Sequence, residues 1–190
     1  KHNSMGQTFD YIIIGAGSAG CVLANRLSKN PKNTVLVIEA GGPDKNMNIH
    51  IPGAYTKVHK SKEDWGFWTE EQANVLQRKI YLPRGKTLGG SSSTNAMAYV
   101  RGNAADYDGW ETLGNPGWGY KDILPYFKRA ENNADADHLD NGYHGTKGEL
   151  DVTLPTTFQT PFVKGFIAAC AAIGIPTNSD YNGAKQEGAG

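Results

Sequence analysis

The sequence predicts an α/β fold that opens on a strand–helix–strand unit. Three observations carry this expectation: a short apolar run ends on a glycine-rich turn, an amphipathic stretch follows, and a second β-branched run closes on an acidic residue.

Phe9 to Ile14 is apolar apart from Asp10, too short for a helix and bounded by Gly15, so it reads as a buried strand of a parallel sheet. From Ser18 to Lys29, Ala19, Val22, Leu23 and Leu27 recur at helical spacing, and Asn30-Pro31 supplies a stop. Thr34 to Ile38 is β-branched and apolar, Glu39 ends it, and Gly41-Gly42-Pro43 terminates the strand. The whole fits a right-handed βαβ crossover of the Rossmann type.

Further on the pattern becomes mixed α+β. Asn46 to Gln77 has no sustained period and reads as loops with short elements. Asp122 to Glu131 places Ile123, Leu124, Phe127 and Ala130 at helical spacing, with Pro125 expected in the opening turn. Leu150, Val152 and Leu154 alternate with polar residues and predict a strand ending at Pro155. Thr160 as N-cap, Pro161 at the first helical position and Gly174 as the stop bound a last helix.

Charge and composition exclude several classes. The 190 residues carry 19 basic and 19 acidic side chains, which leaves no basic footprint for nucleic acid and no polybasic membrane patch. No apolar run approaches the roughly 18 residues of a membrane span, and the N-terminus lacks a secretory layout. Cys21 and Cys170 form no metal spacing and no disulfide framework, so a reducing compartment is expected: the cytoplasm, with peripheral attachment to the inner face of a membrane left open. A small-molecule partner is the default.

The first glycine-rich turn, Gly15-Ala16-Gly17-Ser18-Ala19-Gly20, is a GxGxxG lying between a predicted strand and a predicted helix. Gly15 permits the turn, Gly17 lets main chain approach a pyrophosphate, and Gly20 lets helix and strand pack. Glu39 stands where a carboxylate can accept the ribose hydroxyls of an adenosine. The turn alone does not separate NAD from FAD.

The second segment, Arg84 to Gly102, reads RGKTLGGSSSTNAMAYVRG. Small residues from Gly89 to Ser93 let peptide N–H groups and hydroxyls reach a planar ring, and Asn95 adds an amide. With the first turn, the acidic strand end and the continuation through Tyr99, Gly102 and Asp108, this segment resembles the signature of the glucose-methanol-choline (GMC) oxidoreductases, FAD-dependent enzymes that act mostly on alcohols. Asn103 to Asp108, Gly109-Trp110 and Leu124 to Phe127 look most like the bacterial choline dehydrogenase and alcohol dehydrogenase branch. The resemblance runs from Phe9 to the last residue.

The resemblance implies a discontinuous FAD domain of which this chain supplies the first part. It divides the chain into a tag-like remnant at 1–4, an N-terminal FAD-binding part at 5–155 and the start of a substrate-side segment at 156–190. It makes Gly15, Gly17, Ser18, Ala19 and Gly20 pyrophosphate contacts and sets Glu39 with Ala40 at the adenosine. Trp65, Arg84, Leu88, Gly89, Gly90, Ser91, Asn95, Ala96, Met97 and Ala98 then lie along the rest of the cofactor, although Trp65 also reads as a core aromatic. Thr94 occupies the position where some choline oxidases carry a flavin-linked histidine, so the FAD is expected to be noncovalent.

In the family, a histidine takes the hydroxyl proton while the carbinol carbon gives hydride to the flavin, and that histidine falls beyond residue 190. His2, His50, His59, His138 and His144 carry no motif of a base, so no catalytic residue and no metal ligand is assigned. The expectation is an FAD-dependent alcohol dehydrogenase or oxidase whose 190-residue part is inactive without further polypeptide. The alternatives are another activity of the family, including light-driven fatty-acid decarboxylation, and a noncatalytic nucleotide-binding module. A nicotinamide enzyme would leave the second segment without a role.

Overall fold

A computed structural model describes residues 6–139, 142–155 and 160–190, arranged as two units, Lys1–Ala98 and Tyr99–Gly190. The tag-like remnant at 1–4 and the start of the segment at 156–190 lie outside the described residues.

In the first unit, β1 (Tyr11–Ile14) and β2 (Val35–Ile38) pair in parallel, Tyr11 opposite Val35 and Ile14 opposite Ile38, with α1 (Ser18–Ser28) crossing between them. Asp10, the lone polar residue of the first apolar run, pins the sheet's start: its carboxylate accepts from the N–H and hydroxyl of Thr34 at 2.7 and 2.8 Å. Only Ile13 in β1 is buried, because it faces α1 across Gly20. Ile12 and Ile14 are 57% and 78% exposed, which corrects the expectation of a wholly buried strand; a two-stranded sheet covered by one helix leaves its other face bare.

The stretch read as loops with short elements contains α2 (Met47–His50), a 3₁₀ segment at Pro52–Val58 that buries Ala54 and Val58, and another at Ala73–Val75. It ends in a hairpin, β3 (Phe67–Trp68) against β4 (Tyr81–Leu82), followed by α3 (Ser91–Thr94).

The second unit holds α4 (Ala104–Thr112), α5 (Tyr120–Ala130), β5 (Glu131–Asn133), β6 (Leu150–Val152) and α6 (Pro161–Ala172). Asn103 caps α4 by accepting from the Ala105 N–H at 2.9 Å, and Thr160 caps α6 by accepting from Val163. Gly174 stops α6 at φ +86°, a conformation that favours glycine. Helix α5 starts two residues before the predicted position, so Pro125 lies in its interior and not in the opening turn. The lost backbone bond is offset by packing: Tyr107 on α4 meets Tyr120 and Phe127 on α5 with ring centroids 6.0 and 5.8 Å apart.

The centre of this unit is polar. Glu131 is fully buried and bonded to Arg101, to His144 Nδ1 at 3.0 Å, to Asn133 Nδ2 at 3.0 Å and to the Gly145 N–H at 2.9 Å. His144 Nε2 lies 2.9 Å from Asp180, and the Arg101 guanidinium reaches the Tyr143 carbonyl at 2.6 Å. Burial pushes the Glu131 carboxyl up, but the bonds from His144, Gly145 and Asn133 with the Arg101 charge outweigh it and hold the group below its ordinary value. His144 is buried with both ring nitrogens bonded, to Glu131 and to Asp180.

Candidate functional site

All the predicted cofactor residues fall in the first unit, and its topology brings the two glycine-rich segments together. The Gly89 N–H donates to the Ala16 carbonyl at 2.8 Å, the Ser18 and Ser92 hydroxyls are hydrogen-bonded, and Gly90 stands against Gly17. A second set of contacts hooks the later loop onto the end of β2. Leu88 N–H and the Thr87 hydroxyl both donate to the Gly42 carbonyl, at 3.0 and 2.9 Å, and Gly41 lies so close to Lys86 that a methyl there would sit 2.1 Å from its carbonyl.

The glycines of the first turn divide by what demands them. Gly15 holds φ +95° and Gly20 packs so tightly that a methyl would sit 1.9 Å from the Gly15 oxygen, as expected for a turn and a helix–strand contact. At Gly17 a methyl would meet nothing nearer than the Gly90 Cα at 3.9 Å. Packing among the described residues does not require that glycine. Gly17 is also the N-cap of α1 and offers no side-chain acceptor, so the first-turn N–H groups from Ser18 onward are uncapped by it.

Glu39 is fixed beside this turn. Its Oε2 accepts from the Ala16 N–H at 2.7 Å and its Oε1 from the Gly41 N–H at 2.8 Å. The Gly41 bond lowers its carboxyl below the ordinary range, burial opposes this, and the Ala16 and Ala40 N–H groups reinforce it. An ionised carboxylate has lone pairs to spare, so each oxygen can still accept one hydroxyl. Ala40 is exposed at the strand end.

Trp65 and Arg84 are joined by a Trp65 N–H to Arg84 carbonyl bond of 2.9 Å. Phe67 stacks on the Trp65 indole with centroids 5.6 Å apart, and the Lys86 ammonium lies 4.8 Å from the ring centre. The residue that organises them escaped the sequence reading. Asp64 accepts from the backbone N–H groups of Lys60, Gly66 and Arg84 at 2.7, 3.0 and 3.0 Å, and from the Tyr81 hydroxyl. Burial pushes its carboxyl up, yet these four donors prevail and bring it down to about 2. The signal available was Asp64 two residues before Gly66, an Asx turn closing on a glycine at φ +63°.

Ser91 opens α3 and accepts from the Gly85 N–H at 3.1 Å. Asn95 follows its last residue as the C-cap, its side-chain oxygen accepting from the Met97 N–H at 2.7 Å, and its amide N–H₂ makes no hydrogen bond among the described residues. Asn95, Ala96, Met97 and Ala98 are all exposed and form no hydrogen bond with the first turn among the described residues. Asn95 and Met97 instead border a cavity.

The family pattern described as GMC oxidoreductase matches residues 9–190. An oxygen-dependent choline dehydrogenase of Vibrio vulnificus is 47% identical over 188 residues, covering 98% of this chain and 33% of that protein. An alcohol dehydrogenase [acceptor] of Pseudomonas putida is 48% identical over 183 residues, covering 96% of this chain and 33% of its own length. Among solved structures, pyridoxine 4-oxidase from Mesorbium loti superposes with a TM-score of 0.84 at 36% identity, over 95% of this chain and 35% of that one. The chain spans about a third of the length of these relatives.

Proposed function

The chain belongs to the GMC oxidoreductase family, and from that premise we propose that it is the FAD-binding part of an enzyme that oxidises the CH–OH group of an alcohol. The observation that carries the reading is the contact of the two glycine-rich loops, with Glu39 fixed beside them: one elongated dinucleotide can meet both. The bare backbone at Gly17 fits such a group because, among the described residues, a Cβ built there would meet nothing nearer than the Gly90 Cα at 3.9 Å.

Each residue set has a task. Gly15, Gly17, Ser18, Ala19 and Gly20 offer backbone N–H groups to the pyrophosphate, and Glu39 with Ala40 receives the adenosine ribose. Arg84, Leu88, Gly89, Gly90 and Ser91 form the second wall. Asn95, whose amide N–H₂ has no partner among the described residues, and Ala96 to Ala98 border the redox end, and Trp65, stacked with Phe67 and near the Lys86 ammonium, joins them. When bound, FAD supplies the acceptor for the hydride that leaves the carbinol carbon. These side chains orient the cofactor; the proton acceptor is expected outside these residues.

Thr94 ends α3 with a hydroxyl where some relatives have the histidine that tethers flavin, so the FAD is held noncovalently. Acid precipitation should release the chromophore. Choline or another primary alcohol is the favoured substrate, supported by the names of the relatives. No described helix is long and apolar enough to cross a membrane, and a cytoplasmic setting is supported by the two free thiols, Cys21 and Cys170. The reading also keeps 5–155 as FAD-binding, assigns 156–190 to the substrate side and calls on further polypeptide to complete the enzyme.

The test is titration with FAD of the protein continued into its natural downstream sequence. Quenched flavin fluorescence and a yellow protein that reacts with choline or a simple primary alcohol are expected. Colourless material indifferent to FAD would end the proposal.

A further inference from the structure

Thr87, at the head of the second glycine-rich loop, is 1% exposed although its side chain ends in a hydroxyl. That hydroxyl donates to the Gly42 carbonyl at 2.9 Å, and the Leu88 N–H donates to the same oxygen at 3.0 Å. A carbonyl oxygen has two lone pairs, and both are engaged here. The fold alone would be served by less: the Leu88 bond already gives the carbonyl a partner, and a valine would fill the threonine's space. The hydroxyl adds a second, directional tie to a pairing that burial and one backbone bond already make.

What the tie connects decides its meaning. Gly42 follows directly on Gly41, whose N–H holds Glu39 Oε1 at 2.8 Å, so the accepting carbonyl sits one residue from the group that fixes this carboxylate. On the loop side, the Thr87 carbonyl accepts from the Gly90 N–H at 2.8 Å and closes the turn in which Gly89 and Gly90 hold φ +87° and +56°. Thr87 thus joins the Glu39 end by its side chain and the Leu88 to Ser91 wall by its main chain. The residues before it are tied elsewhere, the Lys86 N–H to the Glu63 carbonyl at 2.7 Å and the Arg84 N–H to Asp64 at 3.0 Å.

We propose that Thr87 is a positioning residue that sets the spacing between the two halves of the dinucleotide site. The inference rests on the flavin reading, because only a ligand long enough to touch both halves senses that spacing. With the hydroxyl gone, the second loop has to be ordered at the moment the long ligand binds, and that cost subtracts from its affinity. One neutral hydrogen bond has a usual net worth of about fivefold in an equilibrium, which sets the scale of the loss. A ligand confined to the first turn and Glu39 escapes it.

The experiment uses the full-length apoenzyme and two probes titrated by calorimetry: FAD, and ADP, which carries the adenosine and pyrophosphate without the flavin. In Thr87→Val, FAD affinity should fall at least about fivefold while ADP affinity stays within about twofold of wild type. Thr87→Ser keeps the hydroxyl and should bind both probes as wild type does. Circular dichroism checks folding, and if Thr87→Val does not fold, Thr87→Ala compared with Thr87→Ser isolates the hydroxyl. An unchanged FAD affinity, or an equal loss for FAD and ADP, would overturn the inference, since a merely structural threonine moves both probes alike. So would collapse of both hydroxyl-less variants with FAD present, or a wild type that takes FAD but no ADP, because the adenosine grip would then have no independence from the second loop. Wild-type protein that never takes up FAD would instead sink the flavin reading itself, and that shows before any variant is made.

Discussion

Gly90 rests on Gly17: a methyl built on Gly90 would lie 2.8 Å from the Gly17 Cα, whereas one built on Gly17 has its nearest neighbour at 3.9 Å. The contact is asymmetric in what it demands. Gly90 also holds φ +56° with ψ −134°, a backbone shape for which other residues are strained. Gly17 has an ordinary φ of −82°.

Gly17→Ala should therefore leave the apoprotein within about 1 kcal/mol of wild type, the usual scale of an N-cap change, while weakening FAD binding at least about tenfold. Gly90→Ala should lose on the order of 1–3 kcal/mol of stability from backbone strain before any ligand is added. Thermal melts paired with fluorescence titrations separate the two. Gly17→Ala that binds FAD like wild type would remove the argument for a ligand over that turn.

Glu39→Gln places an NH₂ group against one of the two backbone N–H donors that its oxygens now satisfy. A stability loss of about 1–3 kcal/mol is expected from the orphaned donor, together with weaker FAD binding. Its carboxyl is lowered in the folded protein, so its contribution is complete above the unfolded value and fades as pH falls through the folded one. Denaturation of wild type and variant, compared at pH 7 and in acid, should converge in acid.

Asp64 gives a sharper acid signature. With a folded value of about 2 against an ordinary 3.8, the stability it adds is whole above about 4 and is lost as pH descends toward 2. Asp64→Ala strands the Tyr81 hydroxyl and three backbone N–H groups, and should cost at least about 2 kcal/mol at pH 7. Circular dichroism melts across pH 2 to 7 check it: a gap independent of pH would contradict the assignment.

Glu131→Ala removes the centre of a buried charge cluster and leaves Arg101 unpaired, for which about 3–5 kcal/mol is typical, or a Tm drop on the order of 10 °C in a chain of this size. Joint replacement, Arg101→Met with Glu131→Leu, should recover part of that loss, because neither charge is then stranded. Differential scanning calorimetry of the single and double variants decides the matter. A double variant less stable than the single one would show that the remaining bonds to His144 and Asn133 dominate.

Local chemistry explains which parts could be read in advance. The run from Phe9 to Glu39 announces itself because strand period, glycine turn and helix period follow one another within a single crossover, and Thr160-Pro161 with Gly174 mark α6 by capping alone. Thr87 is different: it is buried by bonding to Gly42, 45 positions earlier, and nothing near either residue encodes that pairing. The Arg101–Glu131–His144 cluster was invisible for the same reason, each member looking like a solvated polar residue until the fold brings all three together. Helix α4 was missed because its apolar spacing is weak, although Asn103 stood at its start as a capping signal. Pro125 misled because packing by Phe127 and Tyr120 tolerates what propensity forbids.

The uncovered side of the β1–β2 ribbon has a practical meaning. Ile12, Ile14 and Ile38 present branched hydrocarbon to solvent on a ribbon only two strands wide. Handled by itself, the 190-residue polypeptide should brighten a hydrophobic dye such as ANS, creep toward colloidal association as concentration rises, and respond to a lysine at Ile14 with better recovery from expression.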